Sequence, residues 1–188
     1  MMDVKAKNES SLGMAYRQMK LSIDEMTPQF EKKLNEELKL NPLKAKVREA
    51  TERDIGALVD LYNKSWMTSN TPFSRITIET MKSLYNDPDI VILIGRVYGI
   101  DAGFMILDFA GVEDHYGRVL AIGILPRFQH KGLGKFLGYN AWNYVKQKDI
   151  RELRSEVYLE NTVSYKFIKA MEFEVVEVKT YTNNVQVV

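Results

Sequence analysis

A chain of 188 residues, 45% hydrophobic and 27% charged, has the composition of one soluble globular domain with a sizeable core. Its formal net charge of +1 argues against a generic nucleic-acid binder, which needs clustered and uncompensated Lys and Arg. It contains no cysteine, which excludes disulfides, thiolate nucleophiles and Cys-ligated zinc.

The first residues, "MMDVKAKNES", lack the apolar stretch of a signal peptide, and no apolar run approaches the ~20 residues that span a bilayer. The expectation is a cytoplasmic protein without membrane partners. Residues 9–40 read as helical. Leu12, Tyr16, Met19, Ile23 and Met26 recur at spacings of four and three, an apolar stripe on one helix face. Pro28 interrupts the stripe, Thr27 can cap a second helix, and Phe30, Leu34 and Leu38 continue it. Residues 1–43 are thus expected to form an N-terminal helical extension to a domain over 44–188. That extension either lies on its own domain or makes a homodimer contact through residues 9–40.

From Lys44 the element types alternate. "AKVREA" reads as a strand, and "TERDIGALVDLYNKSW" as a helix capped by Thr51 with Ile55, Leu58, Val59 and Tyr62 on one side. "MTSNTPFSR" is a polar loop, and "TIETMKSLYND" is a second helix that stops near Asp87-Pro88. "IVILIGRVYG" and "DAGFMILDFA" form a hairpin, and "RVLAIGIL" follows after the loop "GVEDHYG". Then come a glycine turn with its helix, the strand "ELRSEVYL", the short helix "TVSYKFIKAM", and the strands "EFEVVEVKTYT" and "VQVV". Hairpin strands followed by crossover helices predict an α/β fold. Its sheet is mixed and mostly antiparallel, with helices on both faces.

The turn "LPRFQHKGLGKFL" carries the chemistry. Pro126 stops the strand ladder, and the helix begins near Gly132, with Leu133, Phe136, Leu137, Ala141, Tyr144 and Val145 on its apolar side. "QHKGLG" therefore sits at a helix N-terminus, where backbone N–H groups lack internal partners and the dipole is positive. Glycines allow close approach, and Lys131 and Lys135 add charge, which suits a phosphate group. The P-loop pattern fails because Gln129 and Phe136 occupy its Gly and Ser/Thr positions. The dinucleotide pattern fails at Leu137. His115 and His130 stand fifteen apart without metal-ligand spacing, so no metal site is expected.

The stretch Gln129-His130-Lys131-Gly132-Leu133-Gly134 fits Q/R-x-x-G-x-G/A after an apolar pair and Pro. It resembles the acetyl-CoA signature of the GNAT superfamily of N-acetyltransferases, and the element order over 44–188 is similar to that fold. A second family motif, N-x-x-A-x-x-x-Y-x-x-x-G-F, is met at Asn161 and Phe173, with Ser164 for Ala, Ile168 for Tyr and Glu172 for Gly. The nearest pattern is that of the N-terminal-amine or ribosomal-protein acetyltransferases.

The resemblance implies acetyl-CoA as co-substrate, no metal, and direct transfer of the acetyl group to an amine acceptor. Ile122, Ile124 and Leu125 would present backbone to the pantetheine arm. The diphosphate would sit on Gln129, His130, Lys131, Gly132, Leu133, Gly134 and Lys135, and Asn161 would contact the co-substrate beyond them. The acceptor amine is protonated near neutral pH and needs a base. Glu156, five residues before Asn161, is the expected base, with Glu113, Asp114 and His115 in reserve and a surface or Arg154-paired glutamate as the alternative. Tyr165 is the expected general acid, because Ile168 fills the family's tyrosine position. Trp66, Phe73 and Tyr181, with Ser69, Asn70 and Ser74, could wall the acceptor pocket, and nothing in them selects the amine. Two other readings stay open: an acyl-CoA sensor module without turnover, favoured by Ile168, and a nucleotide-phosphate enzyme.

Overall fold

The computed structural model describes residues 13–40, 43–67, 69, 71–72 and 74–181. The elements in chain order are β1 (Met14–Ser22), α1 (Pro28–Leu40), β2 (Lys46–Glu49), α2 (Ile55–Trp66), α3 (Ile78–Asn86), β3 (Ile90–Val97) and β4 (Ile100–Asp108). They continue with β5 (Tyr116–Ile124), α4 (Leu133–Val145), β6 (Glu152–Tyr158), α5 (Thr162–Ala170) and β7 (Glu174–Tyr181). One seven-stranded sheet runs β2-β3-β4-β5-β6-β1-β7, and β5–β6 is its parallel pair. The mixed, mostly antiparallel α/β fold is as expected, as is the element order from β2 to β7. The final "VQVV" lies outside the described residues.

The largest departure is at the N-terminus. Residues 14–22 are not helical; they form a strand between β6 and β7, antiparallel to both. The stripe that suits a helix also contains a period of two: Met19 and Leu21 point into the core at 1% and 5% exposure, while Lys20 between them is exposed. Two neighbouring ladders decide in favour of the strand, because each supplies backbone partners that an isolated helix would otherwise provide for itself. The helical reading does hold over 28–40. There α1 lies on its own chain, with Phe30 edge-on to Trp142 at 5.8 Å and Trp142 Nε1 donating to Glu31 at 3.1 Å. Met19, Phe30, Leu34 and Leu38 of this segment pack within the chain, and Leu12 lies outside the described residues.

Helices cover both sheet faces. On one side α1, α4 and α5 bury Leu34, Leu133, Leu137, Val145 and Ile168 against Met19, Met105, Leu107 and Leu153. On the other, α2 and α3 bury Leu58, Leu61 and Met81 against Ile92, Ile94, Phe104 and Ile106. Strands β3 and β4 are accordingly near-continuous apolar runs. Gly134 and Gly138 let α4 approach α5, since a Cβ on each would meet Phe167 at 3.0 Å and Met171 at 2.7 Å.

The entry to α2 is held electrostatically. Arg48 grips Asp54 with two bonds of 2.7 Å, and the backbone N–H and hydroxyl of Thr51 each donate to the same carboxylate at 2.8 Å. The Arg48 guanidinium beside Asp54 holds its carboxyl well below the usual carboxylate range. The folded state binds that proton less tightly than the unfolded chain, so the pair stabilises fully above the unfolded value of about 4. Its contribution is lost as pH falls further. Asp54→Asn is therefore expected to lower the melting temperature at pH 7 and to flatten the acid limb below about pH 4, read by thermal denaturation across pH.

Candidate functional site

β5 ends at the glycine turn, and the turn's geometry follows from its residues. Pro126 to Phe128 form one 3-10 turn. Gln129 closes it twice: its backbone N–H donates to Pro126 O at 3.2 Å and its side-chain Nε2 to Ile124 O at 2.9 Å. His130 and Gly132 then take left-handed conformations, φ 57° and 87°, which turn the backbone into the start of α4. For Gly132 this conformation is free of strain, and no atom lies within 4 Å of where its Cβ would be.

The first N–H with a helical acceptor is that of Phe136, bonded to Gly132 O at 3.0 Å. The N–H groups from His130 to Lys135 have no backbone acceptor among the described residues. Gln129, expected to join this cradle through its N–H, instead spends it on the turn. Arg127, Lys131 and Lys135 are exposed around the cradle and form no ion pair among the described residues.

A gap leads from the turn into the sheet. The β5–β6 ladder runs from Tyr116–Glu152 to Val119–Ser155 and stops there. A register shift in β5, where Ile106 and Leu107 face Ala121 and Val119, leaves Leu120 bulged at the point of divergence. Beyond it Ile122, Ile124 and Leu125 remain tied to β4, with Leu125 N–H on Ala102 O at 2.8 Å, but their other edge has no β6 partner. The splayed strand expected over Ile122 to Leu125 is present.

Glu156 is the first β6 residue past the last ladder pair, at the mouth of this gap. It is exposed on the face that β1 and β7 extend: Gln18 is its cross-strand neighbour, and Tyr181 donates to its Oε1 at 2.8 Å. No cation pairs with it among the described residues; Arg154 turns to Glu152 at 2.5 Å and lies 3.8 Å over the Tyr116 ring. Tyr16 joins the group, with ring centroids 5.5 Å from Tyr158 and 5.7 Å from Tyr181. The bond to Glu156 and partial burial push the Tyr181 phenol up, and burial with the Tyr158 and Glu156 charges does the same for Tyr16, so both stay protonated at neutral pH. Sequence reasoning found Tyr181 only as a wall. Tyr16 escaped it because residues 14–22 were read as helix.

Two expected site residues and the three reserve bases stand elsewhere or act differently. Tyr165 packs on the α5 side of the sheet, its ring 4.5 Å beneath the Arg17 guanidinium, whereas Glu156 is on the opposite face. The two are not brought together, because β1 places Arg17 and Gln18 on alternate faces. Asn161 is 8% exposed and its amide is spent inside the protein. Its Oδ1 accepts from Ser164 N–H at 2.9 Å, and its Nδ2 donates to Ser69 Oγ at 3.2 Å and Thr71 Oγ1 at 2.6 Å. It caps α5 and fastens the α2–α3 loop. Asn161→Ala is expected to cost about 2 kcal/mol, the sum of a lost cap and lost buried bonds. That is a fall of roughly 4–8 °C in melting temperature by calorimetry. The reserve bases Glu113, Asp114 and His115 precede β5, roughly 30 Å from the turn that follows it.

Trp66 stacks on Tyr62 at 5.8 Å at the end of α2, Ser69 belongs to the loop that Asn161 holds, and Ser74 is exposed. Asn70 and Phe73 lie outside the described residues. Among the described residues no group of three or more His, Cys, Asp or Glu is placed to hold a metal ion, and no helix is long and apolar enough to cross a membrane.

A family profile described as "Acetyltransferase (GNAT) family" matches residues 57–173, the span from α2 through the turn to the start of β7. A comparison with curated proteins finds no match. Among solved structures, the PaiA N-acetyltransferase from Thermoplasma acidophilum, in complex with coenzyme A, is similar at 22% identity and TM-score 0.60, over 73% of this chain and 99% of that one. An aminoglycoside acetyltransferase from an uncultured soil metagenomic sample, in complex with sisomicin, is 15% identical with TM-score 0.61, over 73% and 94%. The ribosomal-protein-S18-alanine N-acetyltransferase from Escherichia coli is 15% identical with TM-score 0.57, over 68% and 76%. These likenesses are of fold.

Proposed function

The chain belongs to the acetyltransferase (GNAT) family, and on that premise we propose that it transfers the acetyl group of acetyl-CoA directly to a primary amine. The observation that carries the proposal is the parting of β5 from β6 after Val119 and Ser155, which joins the amide-lined turn to the carboxylate of Glu156. The residues fit the co-substrate. Free N–H groups from His130 to Lys135 and the ammonium groups of Lys131 and Lys135 suit a diphosphate, and open space at Gly132 admits it. The unpaired edge of β5 from Leu120 to Ile124 offers backbone to an amide-bearing arm. Asn161 contributes as a positioning residue, through the loop that it fastens.

The thioester supplies an activated acetyl group and a thiolate leaving group. Glu156 accepts a proton from the acceptor ammonium, which frees the nitrogen lone pair for attack on the acetyl carbon. Backbone N–H on the unpaired β5 edge is positioned to polarise the carbonyl. The nitrogen–carbon bond forms, the carbon–sulfur bond breaks, sulfur leaves with the electron pair, and the second proton lost by nitrogen goes to the thiolate, through solvent, to give the thiol. A thiol of pKa about 8.5 is a tolerable anion, so departure needs no dedicated acid. That matters here because Ile168 is apolar and Tyr165 is on the other face.

The same absence favours a second reading, an acyl-CoA sensor with little turnover. Thermal denaturation with acetyl-CoA, coenzyme A, ATP and NAD, followed by free-thiol release with a panel of amines, tests both. Stabilisation by acetyl-CoA and CoA but not by ATP or NAD, with amine-dependent thiol release, is the expected result. Stabilisation without release for any amine favours the sensor, and stabilisation by ATP or NAD alone removes the co-substrate assignment.

A further inference from the structure

We infer that the acceptor is a monoamine, a single ammonium group carried on an apolar, ring-bearing body, and not a polycation; this rests on the transferase reading above. The charges on the open face of β1, β6 and β7 carry the inference. Lys20 pairs with Glu152 at 3.4 Å, Arg154 pairs with the same carboxylate, and Lys179 pairs with Glu177 at 3.0 Å. Of the carboxylates on these three strands, Glu156 and Glu174 form no ion pair among the described residues, and Glu156 is the one at the gap, held by a neutral phenol. One unpaired carboxylate at the gap matches one ammonium.

The surroundings of Glu156 discriminate further. Tyr158, Tyr16 and Tyr181 come from three adjacent strands and make a continuous wall of rings beside it. Ring faces attract an ammonium and bury apolar surface, and they offer nothing to additional hydrated charges. Lys179, the β7 neighbour of Tyr16, carries its ammonium on this same face, where it repels a second positive group on the acceptor. The Glu177 carboxylate, which would otherwise receive such a group, already holds Lys179.

The test measures free-thiol release by the full chain with acetyl-CoA and, in parallel, 2-phenylethylamine, spermidine and sisomicin as acceptors. The expected kcat/KM is at least tenfold higher for 2-phenylethylamine than for either polycation. Tyr158→Leu is expected to raise the KM for 2-phenylethylamine about tenfold while leaving stabilisation by acetyl-CoA unchanged, which shows that the variant is folded. A higher kcat/KM for spermidine or sisomicin, or an unchanged KM in folded Tyr158→Leu, overturns the inference and leaves the transferase intact. Thiol release with none of the amines, despite stabilisation by acetyl-CoA, overturns the transferase and this inference together.

Discussion

Glu156→Gln is expected to lower kcat by about 10²–10⁴-fold, the range by which one positioned base accelerates a proton transfer. The substitution is nearly isosteric, and the Tyr181 hydroxyl can donate to the amide oxygen as it does to Oε1 at 2.8 Å. Stability should therefore change little. The amide has no proton affinity near neutral pH, so the acceptor must arrive already deprotonated. Residual activity should then rise tenfold per pH unit below the acceptor's own pKa, because only the free base reacts. The KM for the amine should also rise, since the charge partner of the ammonium is gone. Stabilisation by acetyl-CoA should be untouched, because the cradle from His130 to Lys135 lies beyond the splay. Steady-state kinetics across pH, with a thermal-shift titration of acetyl-CoA, check all three. An unchanged kcat would mean that Glu156 is a surface carboxylate, as its exposure alone permits.

The turn was legible because its signals are local: Pro126 ends a ladder, the glycines admit left-handed backbone, and a helix stripe starts directly after them. The splay of β5 and the place of Glu156 were legible only through the family resemblance. Most of what escaped the sequence depends on partners distant in the chain. Asn161 reads as a co-substrate ligand until Ser69 and Thr71, about ninety residues earlier, take its amide. Gln129 reads as part of the cradle until Ile124 O and Pro126 O claim its donors. Tyr165 and Glu156 look like partners, but the period of two in β1 and β6 puts their surroundings on opposite faces. The bulge at Leu120 has no signature of its own, because it exists only against β4. Apart from Gln129, whose acceptors lie within the turn itself, each miss is a non-local contact, for which propensity and spacing carry no information.

Deleting residues 1–22, or replacing Met19 by Asp, is expected to abolish cooperative folding. Among the described residues β7 is hydrogen-bonded to the sheet only through β1, so deletion detaches β7 and leaves the β6 edge bare. Tyr181 then loses its place beside Glu156, and Tyr16 is gone with the strand. The point variant tests the same claim without shortening the chain. Met19 is 1% exposed, packed on the side covered by α1, α4 and α5. A carboxylate there has no cation to meet and costs several kcal/mol, a large part of the 5–15 kcal/mol that holds a typical domain. Lys20→Gln, one residue on and exposed, should change stability by no more than about 1 kcal/mol. Circular dichroism melts distinguish the outcomes. If the truncated chain melts cooperatively and is still stabilised by acetyl-CoA, residues 23–188 stand without β1 and that strand is an appendage. If instead truncation and Met19→Asp both lose the transition while Lys20→Gln keeps it, β1 is a structural member of the sheet on which the acceptor side of the site is built.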